Sequence, residues 1–366
     1  MVEHATGWWI TGEGSGHLTA TLRGNISPSE LGEGSLEISV SHSALNYKDA
    51  LALTGSRGVV RQTPLIPGID AVGSVVSCSE SSFHLGDSVV LTGWGYGEQR
   101  HGGLATRIRA DPGHVLALPA GLTPEQAASI GTAGFTAAFA MTKLQTAGLT
   151  PESCTKPIAV TGAAGAVGSF CIFLLAQAGF RVTAITGRTD EQEYLRGLGA
   201  TEVLSRQQVL TQAGKPLSKE LYSGVIDQAG GELLATLLAC TASDGVVVAC
   251  GLAGGTDLPA TVMPFILRGV SLIGVNSVTQ SREIRRETWD RWASLAPTVP
   301  WEKITKVIGL DEVEEYAPRV IAGLTRGRVV VEVAAQSSFV NAQSTAATPA
   351  IALAPIPASH AAGNWS

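Results

Sequence analysis

The chain has 366 residues, 45% of them hydrophobic, 43 glycines, and a formal net charge of −6 with a pI near 5.7. Two domains of ordinary size fit this length, while the acidic balance without a basic block argues against nucleic acid or an anionic membrane as main partner. No basic region followed by an apolar run opens the chain, so no secretory signal is read. Five scattered cysteines, Cys78, Cys154, Cys171, Cys240 and Cys250, suit reduced thiols and predict a cytoplasmic protein.

Up to about Ala127 the chain reads as β-rich. Leu36, Ile38 and Val40 alternate within Ser35–Ser41, and Ala71–Ser77 and Asp87–Thr92 are β-branched runs bounded by Pro-Gly and Gly-Asp turns. Short strands with frequent turns predict a barrel-like module. Between the first strands lies Asn46-Tyr47-Lys48-Asp49, dense in groups able to do acid chemistry. From Gly121 the period changes. Thr123-Pro124-Glu125 is a helix start, and Ala127–Ala147 is predicted helical with interruptions at Gly131 and Gly134. A strand over Ile158–Thr161, a small-residue turn, a helix opening near Val167 and a strand over Arg181–Ile185 make a βαβ unit. A helix over Asp190–Leu198 capped by Gly199 follows, then strands at Glu202–Leu204, Gly224–Asp227, Gly245–Cys250 and Ser271–Val275. This alternation predicts a parallel sheet with helices on both faces. The expected division is 1–127 and 128–288, with 289–333 returning to the first domain through a strand at Arg328–Val333. Residues 334–366 carry no Asp, Glu, Lys or Arg and are expected to be a flexible tail.

The turn of the βαβ unit carries Ala163-x-Gly165-x-x-Gly168, the dinucleotide fingerprint with alanine in its first position. Gly165 would let the backbone approach a pyrophosphate, and Gly168 would let the helix pack closely on the strand. Packing glycines in an apolar region give the same pattern, but the flanking strand and helix favour the dinucleotide. Pro157–Phe180 has no charged residue, yet four glycines and an early proline weigh against a membrane span. The second strand ends in Thr186-Gly187-Arg188, with no acid until Asp190. A carboxylate there would repel a 2′-phosphate, whereas Arg188 can grip one and Arg206 can add a second charge, so NADPH is the expected cofactor. No two cysteines lie closer than ten residues, and His42, His84, His101 and His114 form no ligand spacing, so no metal site is expected. Without a metal to polarise a carbonyl, hydride transfer to an activated C=C bond is the favoured chemistry, the enolate being held by hydrogen bonds before protonation. Tyr47 is the expected proton donor, with Lys48 or Asp49 either orienting it or pairing with each other, while Asn46, Lys48 and Asp49 individually are expected to be structural rather than catalytic. In the other reading Tyr47 lines the nicotinamide pocket and water supplies the proton.

Leu45-Asn-Tyr-Lys-Asp-Ala50, Ile66-Pro-Gly-Ile-Asp70, Leu91-Thr-Gly-Trp-Gly95, Gly131-Thr-Ala-Gly-Phe-Thr136, Val160-Thr-Gly-Ala163, Thr186-Gly-Arg188, Cys250-Gly-Leu-Ala-Gly-Gly255, Val262-Met-Pro-Phe-Ile-Leu-Arg268 and Gly327-Arg-Val329 are strings with a combined resemblance. They resemble the acrylyl-CoA reductase branch of the zinc-free, quinone-oxidoreductase-like medium-chain dehydrogenases/reductases, over roughly residues 35–333. The resemblance implies an α/β protein with a GroES-like catalytic domain beside a Rossmann domain. It also implies NADPH, a 2-enoyl-CoA substrate such as acrylyl-CoA, and a homodimer. It places Tyr47 beside the nicotinamide. Next to Gly168 it makes cofactor contacts of Ala164, Gly165, Ala166, Val167, Thr186, Gly187, Arg188, Arg206, Leu252 and Ser277.

Two departures bear on function. Arg100-His101-Gly102-Gly103 stands where the family tends to have His-Trp-Gly-Gly, on a loop expected near the acyl group. Gly274-Val-Asn-Ser277 stands where it tends to have Gly-Val-Asp-Ser, removing a carboxylate near the cofactor. A quinone or α,β-unsaturated ketone reductase of the same superfamily is one alternative, and a non-enzymatic, crystallin-like NADPH-binding relative is another. Arg57, Arg61, Arg100, Arg107 and Arg109 are candidates for a basic pocket that would mark a CoA ester.

Overall fold

The structure is a computed structural model and describes residues 4–12, 18–56, 58–79 and 82–334. The expected tail therefore lies, apart from Ala334, outside the described residues. The N-terminal part is β-rich. Strands β1 (Ala5–Thr11) and β2 (Thr19–Ile26) form a hairpin, followed by β3 (Leu36–Leu45), β4 (Asp70–Cys78), β5 (Ser88–Thr92), β6 (Arg107–Ala110) and β7 (Val115–Ala117). Helix α1 (Tyr47–Leu53) leaves the end of β3. In β3, Leu36, Ile38 and Val40 are buried and Glu37 and Ser39 half-buried, as the period of two requires. The β1–β2 hairpin escapes that period because Trp8, Trp9 and Ile10 are all buried, so no alternation survives in its sequence.

Helix α2 (Pro124–Thr146) starts where expected, the Thr123 hydroxyl accepting from the Gln126 amide. It breaks at Gly131, where φ is 42° and ψ −149°, a conformation that excludes most side chains. The break expected at Gly134 does not occur. A Cβ there would lie 2.8 Å from Ile130 Cγ2, and the Trp292 indole N–H donates to the Gly134 carbonyl at 3.1 Å.

Six parallel strands form the second sheet: β8 (Ile158–Val160), β9 (Val182–Thr186), β10 (Glu202–Ser205), β11 (Tyr222–Asp227), β12 (Thr241–Ala249) and β13 (Ser271–Gly274). The helices along the way are α3 (Ala166–Gln177), α4 (Gln192–Gly197), α5 (Arg206–Leu210), α6 (Gly231–Cys240) and α7 (Met263–Arg268). The strand order is β10-β9-β8-β11-β12-β13. Chain direction across the sheet thus reverses between β8 and β11, which opens the crevice where open α/β sheets take a dinucleotide.

Next, α8 (Arg282–Leu295) lays Trp292 on Phe170 and Phe173 of α3. Each fully buried side chain of this size contributes roughly 1.5–3 kcal/mol. The chain then runs through α9 (Trp301–Ile304), β14 (Thr305–Gly309), α10 (Val313–Ile321) and β15 (Arg328–Glu332). It joins the first sheet in the order β14-β15-β3-β4-β5-β7, with β6 on β3. Val329 pairs with Leu45, so the start of β15 meets the start of α1. One core joins both sheets, with Val72, Val90 and Val330 packed among residues of α2 and α3.

Candidate active site

The glycine turn sits at the mouth of the crevice. Gly162 has φ 55°, Gly165 caps α3, and a Cβ on Gly168 would lie 2.4 Å from the Gly162 carbonyl oxygen. Helix and strand therefore approach as closely as the fingerprint demands. Ala164, Gly165, Ala166, Val167 and Gly168 come together here at the positive end of a 12-residue helix. Leu252, in the loop after β12, is 60% exposed. Beneath the turn, Asp227 is fully buried and bonds Thr161 Oγ1 at 2.8 Å and the Gly230 amide at 2.7 Å, burial pushing its carboxyl upward.

Beyond β9 the expected cofactor residues differ in their surroundings. The Thr186 hydroxyl accepts from the Arg188 amide at 3.0 Å, but the Arg188 guanidinium turns inward. Its Nη2 donates to the carbonyls of Ala164 (3.1 Å) and Thr325 (3.0 Å), and its Nη1 lies 3.3 Å from Glu191. Glu191 is 4% exposed and also takes Arg326 Nε at 2.6 Å. Glu191 was missed in the sequence, hidden in the polar first turn before α4. Arg206 is the arginine poised over the turn: a Cβ on Gly187 would sit 3.0 Å from its Nη2.

At the other end, Asn46 caps α1 and Tyr47, its first residue, is 39% exposed. Both neighbours are engaged elsewhere. Lys48 pairs with Glu98 at 2.8 Å, not with Asp49. Asp49 is buried and accepts four N–H bonds, from the Asn46 amide, Asn46 Nδ2, the Gly68 amide and the Ile69 amide, at 2.9 to 3.1 Å. Burial nevertheless pushes its carboxyl up to about 6. Below it lies a buried ion pair not visible in the sequence, Arg328 on Asp70, with the two side chains 0% and 1% exposed. Arg328 Nη1 also donates to Asn46 Oδ1 at 2.6 Å, and Asn46 Nδ2 donates to Asp70 at 2.9 Å.

The break at Gly131 explains why two charges are buried here. Because the helix is interrupted, the Thr132 amide bonds Asp70 Oδ1 at 2.9 Å, and the carbonyls of Ala128 and Ser129 accept from Arg328. The ion pair thus supplies the acceptor and donors that the missing helical rungs would have provided. A Cβ on Gly131 would lie 2.3 Å from Arg328 Nη2.

A second buried arginine ties the loop after β13 to the first sheet. Arg285, 2% exposed, donates to Thr92 Oγ1 and to the carbonyls of Ser277, Val278 and Gln280, and lies over the rings of Trp94 and Phe135. Burial pushes its guanidinium down to about 10. Ser277 is held here by its carbonyl. Asn276, the departure from the family string, closes the loop on itself: Oδ1 accepts from the Val278 amide and Nδ2 donates to Thr279, each at 2.9 Å. His101 stacks on Trp9 and accepts from the Ile66 amide at 2.9 Å, and burial pushes its imidazole pKa down. It braces its loop. Of the five candidate arginines, Arg107 and Arg109 face Glu37 at 2.9 and 3.6 Å, and Arg57 lies outside the described residues. Arg61 and Arg100 stay exposed beside Lys48 around the turn at 95–100. Among the described residues no three His, Cys, Asp or Glu side chains gather as a metal site would need.

Residues 32–122 match the alcohol dehydrogenase GroES-like domain family, and residues 166–294 match the zinc-binding dehydrogenase family. With this pair of folds, the chain belongs to the medium-chain dehydrogenase/reductase superfamily. It is 44% identical over 308 residues to the protein named "Probable acrylyl-CoA reductase AcuI" of Escherichia coli K12, over 84% of this chain and 94% of that one. Its place is in the acrylyl-CoA reductase branch of the quinone-oxidoreductase-like members. Among solved structures, E. coli K-12 YhdH with bound NADPH superposes with a TM-score of 0.86 at 41% identity, covering 90% of this chain and all of that one. Bacillus subtilis YhfP with NAD bound gives 0.84 at 37% identity, with the same coverages.

Proposed function

We propose that the chain reduces the activated C=C bond of a short 2-enoyl-CoA such as acrylyl-CoA with NADPH. The observation that carries this reading is the 44% identity to a protein named as an acrylyl-CoA reductase, extending over 94% of its length. NADPH fits the residues present. The Gly162–Gly168 turn would take the pyrophosphate at the start of α3, Arg206 over Gly187 would meet the 2′-phosphate, and the Ser277 loop would face the nicotinamide. Bound there, NADPH supplies the hydride that adds to the β-carbon. Tyr47, at the start of α1, stabilises the enolate oxygen as a donor and passes a proton toward the α-carbon. Lys48, Arg61 and Arg100 form the cationic rim offered to the CoA phosphates.

The test is NADPH oxidation with a panel of 2-enoyl-CoA esters beside quinones and enones. Turnover of a short enoyl-CoA is expected, falling about 100-fold in Tyr47→Phe, as loss of a proton donor does. Rapid quinone turnover with no enoyl-CoA activity would sink the reading. For cofactor choice, Arg206→Ala is expected to raise the NADPH KM about tenfold, the scale of one charge-assisted contact, and to leave NADH unchanged. Arg188→Ala removes anchors of Ala164 and Thr325 and should weaken both cofactors. A loss confined to NADPH in Arg188→Ala would return the 2′-phosphate to that residue.

A homodimer and a cytoplasmic location belong to the same proposal. Val262, Ile266 and Leu267, at and along α7, are 65%, 71% and 60% exposed beside the edge strand β13, an apolar face suited to a second copy. A monomer mass in sedimentation would refute the dimer. No helix among the described residues is long and apolar enough to cross a membrane, and cell fractionation would check the location.

A further inference from the structure

Three consecutive residues touch three separate parts of the site. Arg326 pairs with Glu191, which also holds Arg188. The Gly327 amide donates to the Ala164 carbonyl at 2.9 Å, inside the glycine turn. Arg328 donates to Asn46 at 2.6 Å, at the first turn of α1. The dinucleotide turn and the helix of Tyr47 lie on different sheets, and this short run of chain bonds directly to both.

We propose that Arg328 is a positioning residue for the reduction: it holds the first turn of α1, and Tyr47 with it, at a set place relative to the dinucleotide turn. The inference rests on the reading of Tyr47 as the residue beside the reacting bond. The Asn46 amide group is engaged on both its atoms, Oδ1 by Arg328 and Nδ2 by Asp49 and Asp70. A flipped amide would turn Nδ2 toward a guanidinium and Oδ1 toward two carboxylates, so only one orientation satisfies the set. That orientation fixes the cap, and Tyr47 is the next residue. The forked guanidinium can meet Asn46, Asp70 and the carbonyls of Ala128 and Ser129 together, whereas an ammonium group is a point charge without that fork. Gly327 then sets where this fork stands against Ala164. Hydride transfer is sensitive to placement, a shift of about 1 Å costing up to about 100-fold in rate. A purely structural Arg328 would alter stability and leave the chemistry of folded molecules intact.

Two variants test this, each measured per folded molecule with NADPH deuterated at the transferred position. The acceptor is whichever one the unmodified enzyme turns over fastest. Arg328→Lys keeps the charge and loses the fork. Asn46→Ser keeps a good helix cap and loses the link to Arg328. In both, kcat is expected to fall about 10- to 100-fold and the isotope effect on kcat to rise, with the NADPH KM within about twofold. An unaltered kcat and isotope effect in Asn46→Ser overturns the proposal, whether or not Arg328→Lys folds. If the preferred acceptor proves to be a quinone, the enoyl-CoA reading fails while this measurement proceeds on the quinone.

Discussion

Replacing Asp70 by alanine is expected to lower the stability of the fold by about 3–5 kcal/mol, as removal of one member of a buried ion pair does. Arg328 would be left buried with no carboxylate, and the Thr132 amide and hydroxyl would lose the oxygen they share. Urea unfolding followed by tryptophan fluorescence measures the change. Apolar replacement of both members of a buried pair is often neutral, but Asp70→Leu with Arg328→Met should give no such recovery. The Thr132 amide and the carbonyls of Ala128 and Ser129 depend on the pair, and each unsatisfied buried group costs about 1–3 kcal/mol. Full recovery in the double variant would mean that water or the backbone can repair the break at Gly131 unaided.

Gly168→Ala is expected to raise the NADPH dissociation constant about 10- to 100-fold and to lower the melting temperature, since forcing an extra carbon into packed structure costs about 1–3 kcal/mol. Its Cβ would meet backbone on several sides, 2.4 Å from the Gly162 oxygen and 2.7 Å from Ala163 Cα. Neither atom can move without shifting the turn. Gly165→Ala separates the two roles read into the motif. Its Cβ would approach the Gly162 oxygen only to 3.3 Å, so cofactor affinity should drop while the melting temperature barely moves. Equal losses of stability in the two variants would show that Gly165 serves packing too. Fluorescence titration and thermal melts suffice for both.

Much of this was legible in the sequence. The parallel strands lie close to where they were read, because a strand covered on both faces is a run of apolar residues and its turns carry glycine. The glycine turn between β8 and α3 was equally plain, since it is local. Most of what escaped depends on residues brought together from afar. Asp70 and Arg328 both sat in family strings, yet nothing in those strings says that they touch. Their meeting is set by the pairing of Val329 with Leu45 and by the bend at Gly131. Lys48 was read against its neighbour Asp49, while its partner is Glu98, fifty positions on. Arg188 carries the charge that a 2′-phosphate would need, yet a carboxylate three residues on, Glu191, engages it. A local motif is written in order along the chain, whereas contacts between distant strands and the direction in which a side chain turns are set only by the fold.

The bend in α2 also constrains how this protein can change over generations. Gly131, Asp70 and Arg328 depend on one another: a side chain at 131 collides with the arginine, and either charge alone is stranded. Every single step away from the trio passes through a damaged intermediate. Lineages should therefore keep the three together or exchange them together, for a straight helix over an apolar pair. A related sequence holding alanine at this position is accordingly expected to lack both charges.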